Sequence, residues 1–134
     1  MFHDKKNWRD FELRAEFRIN EKGNSGIFFR CELNDSLPHG YEAHFDVWNP
    51  GRLHRTGLSG TQGIDPKSHV TLAPDGWNEY NVRIVGNHIT LRVNNVTTLD
   101  YHDNENGPAE GYLALQCYEP NTVVEFRKLE VRRS

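Results

Sequence analysis

The sequence predicts an all-β protein, an antiparallel sandwich of two sheets. Three observations predict it. Apolar and polar residues alternate over about seven short stretches, the pattern of strands with one buried face. Turn-forming pairs such as Gly23-Asn24, Pro50-Gly51, Gly86-Asn87 and Asn94-Asn95 separate those stretches. No helical periodicity, internal repeat or low-complexity tract competes with this reading. At 134 residues the chain is expected to form a single domain over residues 1–134, with a core drawn largely from seven Phe, five Tyr and three Trp.

In chain order, Phe11 to Ile19 (FELRAEFRI) puts Phe11, Leu13, Ala15, Phe17 and Ile19 inward, with Glu12, Arg14, Glu16 and Arg18 outward. Such alternating charges can be satisfied by a neighbouring strand. After a turn at Glu21–Asn24, Ser25 to Glu32 (SGIFFRCE) aligns Ile27, Phe29 and Cys31 on one face and Phe28, Arg30 and Glu32 on the other. Phe28 is expected at the edge of the core rather than as a sugar platform. Arg30 would pair with Glu42 or Glu16, or hold a substrate oxygen. Residues Arg52 to Pro74 show little periodicity and are expected to form a long functional or disordered loop. Its polar residues, His54 among them, match no metal or nucleophile spacing.

Trp77–Val85, Ile89–Val93 and Val96–Tyr101 read as a meander, its last turn made by Asn94-Asn95, a pair that tolerates positive φ. Gly111–Tyr118 alternates again. In Thr122–Arg132 the phase changes: Val124 and Phe126 share one parity, Leu129 and Val131 the other. Since a one-residue slip turns every side chain over, a β-bulge is expected near Arg127-Lys128.

The most informative stretch is Gly40–Pro50, GYEAHFDVWNP. Tyr41, Ala43, Phe45 and Val47 occupy one face; Glu42, His44, Asp46 and Trp48 occupy the other, with successive members about 6.6 Å apart. Two carboxylates, an imidazole and an indole in one row combine acid/base groups with a flat stacking surface, which suits a sugar site. A merely acidic solvated face explains the same row without function. The three ionisable groups are also of metal-ligand type, but a flat strand presents them side by side and would need help from another strand. No metal and no cofactor are expected.

Composition excludes other classes. Net charge is −3 and the isoelectric point about 6.1, with no basic patch for nucleic acid or a membrane surface. No apolar run reaches the roughly 20 residues of a membrane span. DNENG at 103–107 does not meet calcium-loop spacing. Cys31 and Cys117 read as buried small hydrophobes rather than as a bridge. The first residues carry no visible signal peptide.

Taken in order, FELRAEFRIN, NSGIFFR, GYEAHFD, GWNEYNVRIVGNHITLRVNN, GYLALQ and VVEFRKLEVR resemble the 3-keto-disaccharide hydrolase domain family, over about Trp8 to Arg132. The resemblance implies a concanavalin A-like jelly roll that binds a carbohydrate and acts on the glycosidic bond of a (3-keto-)disaccharide or related glycoside. It also implies a periplasmic or extracellular setting. Family members usually carry further strands ahead of the FELRAEF-like one, so this chain is expected to lack them and to belong to a longer or multidomain protein. The position of His44 is often Gln in the family. The implied chemistry is elimination: Glu42 or His44 as base, Asp46 orienting His44, Arg30 stabilising the oxyanion, and Asn24, Trp48 and Gln116 binding the sugar. The pattern E-x-H-x-D is also similar to the E-x-D-x-E strand of lichenase-type glucanases, with Asp46 one methylene short. A lectin-like module that binds without cleaving stands as the alternative.

Overall fold

The computed structural model describes residues 2–32, 39–57, 60–105, 107–115 and 121–134, the backbone alone at 2–6, 57, 60 and 61. Eleven strands run through them: β1 (Phe2–Trp8), β2 (Phe11–Ile19), β3 (Asn24–Glu32), β4 (His39–Asp46), β5 (Arg52–Gly57), β6 (Gly60–Ile64), β7 (Asn78–Val85), β8 (His88–Val93), β9 (Val96–His102), β10 (Gly111–Leu115) and β11 (Val124–Arg133). They form two antiparallel sheets, ordered β1-β10-β3-β4-β5-β6 and β11-β2-β7-β8-β9.

The alternation read from the sequence builds the core. Phe11, Leu13, Ala15, Phe17 and Ile19 of β2 face Tyr41, Ala43 and Phe45 of β4, and all are buried. Phe17 and Phe45 meet at 4.2 Å between ring centroids. On the opposite face of β2 the alternating charges find β11: Arg18 with Glu125 at 2.7 Å, Arg127 with Glu16 at 2.7 Å and Arg132 with Glu12 at 3.4 Å. These exposed pairs set strand register more than stability. The bulge expected near Arg127-Lys128 is present: the β2–β11 register shifts between Arg127 and Glu130, and Lys128 has φ 53°.

Two expectations are corrected. First, Arg52–Pro74 is not one long loop, because β5 and β6 lie inside it and extend the six-stranded sheet. Among the described side chains of β5 and β6, Leu53 and Ile64 are the apolar ones that face the core, too few to show a period of two. β1, which the alternation did not show, precedes the strand at Phe11 and pairs with β10. Second, Ile27, Phe29 and Cys31 do not share a face. Arg30 has φ 49° and the β3–β4 register shifts between Phe29 and Glu32. This bulge leaves Ile27 and Phe29 in the main core and turns Cys31 outward, where it packs with Phe28 and Ala114 in a separate apolar cluster.

Candidate functional site

The outer face of the six-stranded sheet carries the site. Register alone assembles it. Phe28, Glu42 and His54 are cross-strand partners on β3, β4 and β5; Gly26, His44 and Arg52 are partners one step along; Asn24 opposes Asp46 beyond them. Two glycines make room. A Cβ on Gly26 would stand 2.3 Å from Glu42 Oε2, and one on Gly63 would stand 2.2 Å from Arg52 Nη2. Glu42 therefore lies across β3 and Arg52 across β6, over strand positions with no side chain.

Glu42 is buried. Its Oε1 lies 2.8 Å from His54 Nδ1 and 4.0 Å from His44 Nδ1. A carboxylate only accepts, so the proton of that close contact belongs to His54 Nδ1. The two imidazoles lie 4.8 Å apart at 31°. His44 turns its other nitrogen, Nε2, to Asp46 Oδ2 at 3.4 Å. Asp46 Oδ1 accepts from the backbone N–H of Trp48 (3.0 Å) and Asn49 (2.6 Å). The bond from His44 is the main influence that holds the Asp46 carboxyl below its usual range; burial opposes it, and the two N–H groups add to it. The His44 carbonyl is fixed from behind by the Tyr80 hydroxyl at 3.1 Å and Gly51 N–H at 3.1 Å. Arg52 Nε stands 3.0 Å from Asp65 at the rim.

Among the predicted residues, Glu42, His44 and Asp46 come together. Asn24, Asp46 and Trp48, with Glu21, Lys22 and Gly23, line an open cleft of about 460 Å³ at the end of the face, and the Trp48 side chain is exposed. Gln116 lies outside the described residues, as does Cys117. Arg30 does not join the site. Its guanidinium is buried at one end of the sandwich, where it donates to the carbonyls of Arg9 (2.8 Å), Gly86 (2.7 Å) and Pro108 (3.3 Å) and to Asp10 (3.1 Å). The same bulge that turns Cys31 outward turns Arg30 inward, away from both Glu42 and Glu16. Phe28 is buried, as expected of core rather than of a sugar platform.

His54 and Arg52 were not legible as site residues. Their only signal is register: a strand pairing in antiparallel with Gly40–Asp46 places them beside Glu42 and His44. His54 also supplies the second-strand donor that a metal would need beside Glu42 and His44; the ligand atoms of these three residues lie within 4.8 Å of one another.

The two-sheet antiparallel sandwich is a jelly roll, and the comparisons with solved structures agree in fold. The fold matches a protein designated a glycosyl hydrolase from Parabacteroides distasonis (TM-score 0.75, 15% identity, covering 96% of this chain and 74% of that one). It matches the carbohydrate-binding module CBM66 from Bacillus subtilis (TM-score 0.72, 14% identity, 96% and 78%). Chicken galectin 2 is similar in the same way (TM-score 0.72, 10% identity, 98% of each chain). No curated protein matches the sequence significantly. The model of the 3-keto-alpha-glucoside-1,2-lyase-like domain matches residues 1–132, and the chain belongs to that family. Among the described residues no helix is long and apolar enough to cross a membrane.

Proposed function

We propose that the open face of the six-stranded sheet binds a carbohydrate and that the chain cleaves the glycosidic bond of a 3-keto sugar by elimination. The observation that carries this reading is the convergence of Glu42, His44 and His54 at the centre of a glycine-floored trough, in a chain of a 1,2-lyase-like family. Trp48 at the trough's end offers an apolar face to a pyranose ring, and Asn24 and Asp46 offer polar atoms to its hydroxyls.

The chemistry follows from the substrate. A ketone at C3 acidifies the C2 proton. Glu42 takes that proton, and the electron pair forms an enolate with its charge on O3. The pair then moves to make the C1–C2 double bond as the C1–O bond breaks and the C3 carbonyl returns. Glu42 gives its proton to the departing oxygen, so the enzyme is regenerated and no water is consumed. His54 and His44 hold the carboxylate in place, and Asp46 orients His44.

A panel of 3-keto glycosides and parent glycosides, with product analysis of every compound bound, tests this. The expected products are a free alcohol and a 1,2-unsaturated 3-keto sugar. Glu42→Gln should lower turnover about 10²- to 10⁴-fold, the usual weight of a general base. The openness of the trough and the exposure of Trp48 favour one second reading, a binding module. Saturable binding with no product from any compound would establish it.

A further inference from the structure

The Glu42–His44–His54 group has the composition and spacing of a metal centre. Two ligands each about 2.1 Å from a tetrahedral ion lie about 3.4 Å apart. Glu42 Oε1 is 2.8 Å from one imidazole nitrogen and 4.0 Å from the other, so the separations straddle that value. Side-chain rotations that bring all three donors onto one ion put the ion in place of the His54 Nδ1 proton, which is released to solvent.

Two independent features point the same way. His44 presents Nδ1 to Glu42 while Nε2 is held by Asp46. A carboxylate on the far nitrogen is the arrangement that fixes the tautomer and orientation of metal-binding histidines. In addition, Glu42 is buried without a Lys or Arg in hydrogen-bonding or ion-pair contact among the described residues; its contacts are the two imidazoles. A buried carboxylate requires a positive partner, and a divalent ion between the three side chains provides one.

We infer that Glu42, His44 and His54 bind a divalent first-row transition ion, Zn²⁺ suiting two imidazoles and a carboxylate best, with its remaining position open to the trough. Three protein ligands and an open position characterise a catalytic rather than a structural ion. Its role would be to receive the O3 oxygen as the enolate forms, leaving Glu42 Oε2, over Gly26, to carry the proton. That role rests on the elimination reading; binding of the ion does not.

The test therefore uses the metal alone. The full chain, stripped with a chelator, is titrated with ZnCl₂ by calorimetry and with CoCl₂ by visible absorption. One equivalent should bind, with the intense visible bands of a four-coordinate cobalt site. Glu42→Ala and His54→Ala should each weaken binding at least tenfold, and Asp46→Asn about 10- to 100-fold through His44. The control is a second histidine–carboxylate group, His88, Asp100 and His102, on the other sheet. His88→Ala should leave the affinity unchanged. Absence of a cobalt spectrum in the parent chain, which needs no variant to fold, would overturn the inference. So would binding that survives Glu42→Ala and is lost in His88→Ala. An ion bound at the trough with no turnover of any 3-keto sugar would uphold the metal site and refute the lyase reading.

Discussion

Substitution of Gly26 by alanine is the sharpest probe of the trough, because it leaves every ionisable group in place. An alanine Cβ would lie 2.3 Å from Glu42 Oε2, 2.6 Å from Cγ and 2.7 Å from Cδ. Three overlaps along one side chain cannot be relieved by moving its tip alone. Gly26 is not among the glycines of positive φ, so alanine brings no backbone strain and, in mid-strand, removes the entropic disadvantage of glycine. The cost is therefore that of overpacking, about 1–3 kcal/mol. Of this, the displaced Glu42–His54 contact at 2.8 Å, a hydrogen bond to a charged group, accounts for about 1.5–3 kcal/mol if it is lost outright. A net loss of about 2 kcal/mol lowers Tm by roughly 5–10 °C in a domain of this size. Zn²⁺ affinity and 3-keto-glycoside turnover should fall at least tenfold in the folded variant. Thermal unfolding, zinc calorimetry and product analysis on one preparation read all three. A variant with parental Tm, zinc affinity and turnover would show that Glu42 need not lie across β3 and would refute this geometry of the site.

Other outcomes follow from residues the sequence placed differently. Arg30→Ala removes a buried guanidinium that satisfies three carbonyls and Asp10. It should cost about 3–5 kcal/mol of stability, as loss of one partner of a buried charge pair does, while the folded fraction keeps its sugar affinity; parental stability with lost turnover would restore Arg30 to the chemistry. Trp48→Ala should weaken sugar binding by about 1 kcal/mol, the scale of one aromatic contact, without moving Tm, because the side chain is 60% exposed; an unchanged titration would remove Trp48 from the site. Burial pushes the Cys31 thiol up from 9.0 to about 12. The folded chain should resist thiol reagents at pH 9 at this position, and rapid labelling in a Cys117→Ser background would contradict its burial. The unfolded thiol ionises first, so Cys31's contribution to stability is intact below about pH 9 and is lost as pH rises towards 12.

Much of the sandwich was legible because its inner faces are strictly alternating. β2, β7 and β8 are each flanked by paired strands and bury every second side chain, and β4 keeps Tyr41, Ala43 and Phe45 in the core, so a period of two survives in the sequence without tertiary information. The Lys128 bulge was legible for the same reason: apolar residues lie on both sides of it, and their parity changes. The Arg30 bulge was not. Cys31 beyond it is small and apolar, and it suits the Phe28–Ala114 cluster as well as it would have suited the core, so the parity did not report the slip. β5 and β6 were hidden differently. Their inward positions include Arg55, whose charge is matched by Asp103 (3.1 Å) and Glu105 (2.7 Å), and their outward positions include His54 and Gly63. A strand polar on both faces shows no period.

That concealment bears on the chemistry. The sequence supplied one strand of the site, with Arg30 as its cation; the fold supplies β5 instead and withdraws the arginine. What remains around Glu42 is imidazole, carboxylate and the rim residue Arg52, whose charge Asp65 already faces at 3.0 Å. Elimination from a 3-keto sugar puts a full negative charge on O3, and the enolate needs a preorganised positive partner. The two imidazoles are already committed to Glu42 and Asp46. Removing Arg30 from the trough therefore makes the demand for another cation stronger, and Glu42, His44 and His54 are the residues arranged to hold one. Activity should then vanish with a chelator and return with Zn²⁺ or Co²⁺, whereas Arg52→Gln should lower it only modestly. Full turnover in the chelator-treated chain, paired with loss in Arg52→Gln, would assign the enolate charge to the guanidinium and leave the imidazoles as simple positioning groups.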